Sequence, residues 1–167
     1  NQLEDRGVTE ALYLASQAGV KIDLIVRGFC CLRPGVPGLS DNIRVISVVG
    51  RFLEHSRIFW FSAAHDDPLG GDFFIGSADW MYRNLHSRVE AVAPVEGRSQ
   101  RRRLWEILQI NLNDQVLAWD MNDNGTYVRR EPPPNLEPGD LAGLGTHQII
   151  MDRTIERFRL TDGDHEA

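Results

Sequence analysis

In "EALYLASQAG" (10–19) the apolar residues Leu12, Leu14, Ala15 and Ala18 recur at near-helical spacing, and Gly19 supplies a C-terminal stop. A first helix is predicted there. "VKIDLIV" then alternates and ends in a β-branched and leucine-rich run, the pattern of a strand buried on at least one face, with Arg27 and Gly28 at its end. "GFCCLRPGVPGLSDN" is rich in glycine and proline and must be a loop, long enough to suggest a role beyond connection. "IRVISVV", "RIFWF", "DFFIGS" and "RVEAVAPV" read as four further strands, with the polar loop "SAAHDDPLGG" between the second and third of these.

After Gly97, "RSQRRRLWEILQINLND" places Leu104, Ile107, Leu108 and Leu112 on one face of an amphipathic helix. "VLAWDMNDNGTYVRR" reads as a hairpin, Asn124-Gly125 favouring a type I′ turn. Pro132 to Pro134 close the ordered core, a last helix is predicted in "THQIIMDRTIERFRL", and the polar end beyond it is expected to be disordered. The order of helix, five strands, helix, hairpin and helix is that of a mixed α/β domain.

At 167 residues and 42% hydrophobic content the chain suits one sizeable core. It starts at Asn1 with a helical pattern almost at once, and so reads as a C-terminal piece of something longer. No apolar run is long enough to span a bilayer, and no secretory signal is present. Adjacent Cys30 and Cys31 cannot form an unstrained mutual disulfide, which argues for a reducing, cytoplasmic setting.

A formal net charge of −6 discourages anionic ligands, yet the charge is uneven: residues 27–88 carry seven Arg against six acids, while residues 131–167 carry three Arg against eight. Of the 18 basic residues, 17 are Arg, with Lys21 the exception. Guanidinium suits bidentate contact with phosphate, although on composition alone a GC-rich genome is the favoured account of the skew.

The five His and two Cys lack the spacing of a zinc site, and neither a Walker glycine loop nor a dinucleotide-binding GxGxxG occurs. The strongest local chemistry is His55 with Arg57 in "GRFLEHSRIF", together with Ser77 and Asp79 in "GSADW". An imidazole near neutrality serves as a nucleophile toward phosphorus or an acid to a leaving oxygen, with arginines holding the phosphoryl charge. From spacing alone, a histidine capping a turn is an equal alternative. Ser77 and Asp79 either orient His55 or an arginine, or cap the turn after the strand. His65, His86, His147 and His165 fall in contexts where solvated roles dominate.

The stretches "AGVKIDLIVRGFCCLRPGVPGLSDNIRV", "GRFLEHSRIF" and "IGSADWMYRNLHSRVE" resemble the C-terminal catalytic region of the long, type-1 bacterial polyphosphate kinases. The similarity begins at Asn1 and runs at least through "AWDMNDNGTYVRR". It implies a phospholipase-D-like fold, a mixed sheet flanked by helices, in which residues 1–143 are the second of two facing halves and residues 144–167 a terminal helix and polar tail. The phospholipase D pattern H-x-K-x4-D with G-S-x-N is kept at His55, whereas Arg57 replaces lysine, Ser62 stands at the aspartate position and Asp79 replaces asparagine. These departures disfavour a phosphodiesterase or nuclease, which stays as an alternative beside a non-catalytic polyphosphate- or nucleotide-binding module.

The resemblance further implies reversible transfer of the terminal phosphate of ATP to polyphosphate through a phosphohistidine in the upstream half, with magnesium whose ligands lie outside this chain. Arg27 and His55 correspond to ATP contacts, and His55 is the candidate to assist transfer. Arg57, Arg83 and Arg88 are candidates for phosphate binding, and Ser77 and Asp79 for support. The partners expected are ATP or ADP, polyphosphate and the upstream half, in a homo-oligomeric full-length protein, with no nucleic acid. The chain alone is expected to be inactive.

Overall fold

A computed structural model describes residues 1–137 and 140–162. The polar end expected to be disordered, including His165, lies outside the described residues. Helix α1 (Arg6–Gln17) opens on Asp5, whose carboxylate accepts a hydrogen bond from Val8 N and so satisfies one of the free amides of the first turn. Strands β1 (Ile22–Ile25) and β2 (Ile43–Val48) follow and pair in parallel. Parallel neighbours require a crossover, and the glycine- and proline-rich segment 26–42 makes it without a helix.

The next elements are β3 (Ile58–Phe61), β4 (Asp72–Gly76), the short helix α2 (Tyr82–Ser87), β5 (Val92–Pro94) and α3 (Arg98–Leu112). The hairpin β6 (Ala118–Met121) and β7 (Tyr127–Arg129) precedes α4 (Thr146–Asp162). The strands form two sheets rather than one: a mixed four-stranded sheet ordered β1-β2-β6-β7 and an antiparallel three-stranded sheet ordered β3-β4-β5. Helix α2 was not apparent from hydrophobic spacing, because six residues are too few to display two turns of periodicity.

The hairpin is present but its turn differs from the expected type I′. Of the loop residues only Gly125 has a positive φ, +85°, whereas type I′ needs two. Gly125 N donates to Asn122 O and Asn122 N to Thr126 O, the pattern of a type I turn followed by a left-handed glycine. Asn124 instead uses its side chain, whose Oδ1 accepts from Thr126 N at 2.9 Å.

Central strand β2 explains the helices on both sides of the first sheet. Side chains alternate across a strand, so Ile43 and Val45 join Val8 and Leu12 of α1 on one face. Ile46 and Val48 join Leu112 of α3 on the other. Full burial of Val45 and Ile46 stabilises the fold by about 1.5–3 kcal/mol each. The second sheet meets α3 through Trp60, which packs on buried Phe73 and on Trp105 at 4.6 Å.

The two sheets are joined by the first residues of the chain. Leu3, buried, makes isolated parallel bridges to Cys30 on one side and Trp80 on the other. Leu3 N donates to Phe29 O at 2.8 Å and Trp80 N to Gln2 O at 3.1 Å.

Candidate functional site

Strand direction brings the site together. Because β1 and β2 are parallel, Arg27, just past β1, and the loop 49–57, just past β2, leave the first sheet at the same end. Because β3 and β4 are antiparallel with Ile58 opposite Ile75, Arg57 lies beside Gly76, and Gly76 N donates to Arg57 O at 3.0 Å. That places the following "SADW" turn against the same loop.

Two guanidinium groups grip consecutive carbonyls of this loop. Arg27 Nε donates to Glu54 O at 2.9 Å, and Arg57 Nη1 donates to His55 O at 2.8 Å. Between them the His55 imidazole is exposed and makes no hydrogen bond among the described residues. Glu54 closes the loop on itself, its carboxylate accepting from Ser56 N at 2.7 Å. Asn1 adds a further tie: its Oδ1 accepts from Arg27 Nε at 3.3 Å and its Nδ2 donates to Ser56 O at 3.3 Å.

Arg57 is itself fixed by Asp79. Its Nε and Nη2 donate to the two carboxylate oxygens at 3.1 and 2.9 Å, a bidentate pair whose side chains are only 20% and 11% exposed. Burial pushes the Asp79 carboxyl up, but opposing hydrogen bonds and positive charge, those of Arg57 foremost, hold the group below the usual range. Of the two sequence-based alternatives for Asp79, the geometry selects orientation of an arginine. The lysine position of the phospholipase D pattern is thus filled by a cation already engaged by a carboxylate.

Ser77 belongs to a neighbouring network. Its hydroxyl donates to Glu90 Oε2 and accepts from Ala91 N at 3.0 Å, while Asn84 Nδ2 donates to Glu90 Oε1 at 2.5 Å. These bonds, and the charges of Arg88 and Arg57, hold the Glu90 carboxyl below its usual range. Glu90 escaped attention in the sequence although it ends the quoted "SRVE"; its role appears only once α2 folds Asn84 toward it. Arg83 on α2 and Arg88 just after it are exposed, with no hydrogen bond or ion pair among the described residues.

Three of the other histidines occupy distinct surroundings. His65 lies in the polar β3–β4 loop, exposed. His86 Nε2 lies 3.0 Å from Asp5 Oδ2, and its ring stacks on Tyr82. His147 corrects the expectation of a solvated role: it is 6% exposed, and its Nδ1 accepts a hydrogen bond from Phe52 N at 3.1 Å.

Among the described residues no three His, Cys, Asp or Glu side chains converge to hold a metal ion. Of the carboxylates at the site, Glu54 is closed onto Ser56 and Asp79 is taken up by Arg57, so these residues do not fit a magnesium site. No helix among the described residues is long and apolar enough to cross a membrane. Chemically, the arrangement presents one free imidazole on a braced loop beside immobilised positive charge.

Residues 1–138 match the family model "Polyphosphate kinase C-terminal domain 2", a span that includes Arg27, His55, Arg57, Ser77, Asp79, Arg83 and Arg88. The chain is 54% identical over 156 residues to a polyphosphate kinase of Thermosynechococcus vestitus, covering 93% of this chain and 20% of that protein. It is 52% identical over 154 residues to one of Synechocystis, covering 92% of this chain and 21% of that protein. The crystal structure of polyphosphate kinase from Porphyromonas gingivalis superposes with a TM-score of 0.81 at 38% identity, covering 96% of this chain and 23% of that one. The chain therefore spans about a fifth of the length of these relatives. Similar in sequence across nearly all its length and in fold to a solved member, the chain belongs to the polyphosphate kinase family.

Proposed function

We propose that this chain is one half of a phosphotransferase site that moves the terminal phosphate of ATP reversibly onto polyphosphate. Residues 1–143 are the second phospholipase-D-like half, followed by the helix that begins at Thr146. The upstream half supplies the nucleophilic histidine: its nitrogen bonds to the γ-phosphorus as the bridging oxygen leaves with ADP, and a terminal polyphosphate oxygen then displaces it. His55 faces that reaction as the proton donor to the departing oxygen and, with Arg27, contacts ATP. Arg57, Arg83 and Arg88 contribute positive charge for the phosphates, and Ser77 and Asp79 support them. Magnesium enters with ATP, on ligands outside this chain.

The observation that carries this reading is the pair of arginine bonds to the carbonyls of Glu54 and His55, which fix the backbone on both sides of an imidazole left open to a partner. Positioning a general acid within hydrogen-bond reach is worth about a hundredfold or more in rate. The two free cysteines fit a reducing, cytoplasmic compartment, and the assembled enzyme is a homo-oligomer in this reading.

The test is transfer of γ-labelled phosphate from ATP to polyphosphate by a polypeptide joining this chain to the upstream part of a polyphosphate kinase. His55→Ala and Arg27→Ala each lower turnover by at least about a hundredfold. The chain alone takes up no label and makes no polymer. Near-native turnover in both variants defeats the assignment, and stoichiometric label on His55 in the isolated chain makes His55 the nucleophile instead.

A further inference from the structure

Helix α4 begins beyond the residues matched by the family model, yet it reaches back to the loop that carries His55. The start of α4 is pinned by Asp114, just after α3. Asp114 Oδ2 accepts from Thr146 N at 2.6 Å, while Oδ1 accepts from Val116 N and Leu117 N at 2.7 and 2.6 Å. Thr146 Oγ1 donates to Ile110 O at 3.4 Å, and Thr146 is almost wholly buried. The next residue, His147, therefore enters the interior from a fixed point.

His147 Nδ1 accepts from Phe52 N, across 95 residues of sequence, and its ring lies 5.4 Å from the Phe52 ring. An accepting Nδ1 means a neutral ring with its proton on Nε2. Close approach is built into the loop. A Cβ at Gly50 would stand 2.8 Å from His147 Nδ1 and 2.8 Å from Leu117 Cδ1, so a side chain at this position would force the ring or the loop away. Glycine at 50 thus leaves the room that the His147 ring and Leu117 occupy.

We propose that His147 is a positioning residue for His55. Arg27 and Arg57 hold the loop at Glu54 and His55, and His147 holds it at Phe52. Three ties within four residues leave the His55 backbone little freedom, which is what a group delivering a proton to a defined oxygen requires. The role presupposes that His55 acts in phosphoryl transfer, the function proposed above.

The test compares His147→Leu, His147→Asn and His147→Gln in the joined polypeptide, with His55→Ala beside them. The Asn carboxamide places its oxygen where Nδ1 lies, whereas the Gln oxygen reaches the place of Nε2. His147→Leu is expected to lower kcat about tenfold with little change in KM for ATP, and to speed hydrogen exchange of the Phe52 amide about fivefold or more. Exchange at Val45 and Ile46 stays slow. His147→Asn restores both kcat and Phe52 protection, and His147→Gln restores neither. Should His147→Leu fail to fold, the Asn and Gln pair decides alone. Equal activity of Asn and Gln variants, or full turnover with Phe52 unprotected, overturns the proposal. If His55→Ala keeps its turnover while Phe52 protection still follows residue 147, the assignment of His55 falls and the tether itself stands.

Discussion

The two sheets of this domain are finished to different degrees. In the first, β2 has five of its six residues buried, with α1 on one face and α3 on the other. In the second, Phe61, Ile75 and Val92 are exposed, and β5 has no buried residue. The difference shows where the fold draws its stability and where it keeps surface available. Arg27 comes from the finished sheet and Arg57 with Asp79 from the open one, so the His55 loop is braced across the boundary between them. A site built this way has one rigid reference and one side able to accept a partner.

The sharpest way to break the contrast is truncation on each sheet. Ile46→Ala should cost about 2–5 kcal/mol, through lost burial and a cavity in a two-sided core. Val92→Ala, at an exposed edge, should stay within about 0.5 kcal/mol. Chemical denaturation of both variants measures it, and similar losses would mean that the second sheet is as tightly integrated as the first.

A smaller effect is expected at the boundary itself. Asp79 ionises more readily folded than unfolded, so its contribution is present above the unfolded carboxylate value, roughly pH 4, and is lost as pH falls through the depressed folded value. Melting temperature should therefore drop on acidification, and Asp79→Asn should flatten that part of the profile. In a double-mutant cycle, Arg57→Ala and Asp79→Ala should couple by about 1–3 kcal/mol, as contacting members of one network do. A cycle that sums to zero would reduce the pair to coincidence.

The smallest effect belongs to the exposed arginines. Replacing Arg83 and Arg88 together by Gln should weaken polyphosphate binding about two- to tenfold at low salt and hardly at all at high salt, because exposed charges are screened within a Debye length. Stability should not change. Isothermal titration at two salt concentrations checks it, and a salt-independent loss would show that these side chains make close, desolvated contacts.

Much of this contrast was legible in the sequence. The alternation of "VKIDLIV", the β-branched run of "IRVISVV" and the apolar stripe of "RRRLWEILQINL" reported β1, β2 and α3, because burial on one or both faces leaves its own pattern. Arg27, His55, Arg57 and Asp79 were identified from motifs, and the structure brings them together. Their pairing was not legible: nothing local tells Arg57 that its partner is Asp79 rather than phosphate, since strand register decides it. His147 was misread for the same reason. Its burial depends on a loop 95 residues away, and its own neighbours resemble those of any polar helix start.

Leu3 carries one more consequence, for the order in which the domain folds. Its backbone stitches Cys30 to Trp80, so the stitch closes over separations of 27 and 77 residues, whereas the β3–β4 hairpin closes over the loop 62–71. Closing long loops costs entropy before any contact rewards it, so such links form late. The β1–β2 pair and the second sheet can assemble on nearby strands first, and the boundary that bears Arg27 and Arg57 is completed late, alongside the β2–β6 pairing across 70 to 74 residues, when residues 1–4 lie between the sheets. A late-forming link governs escape from the native state more than entry to it. Leu3, which touches none of the site's chemistry, is thus among the long-range links expected to slow escape from the folded site.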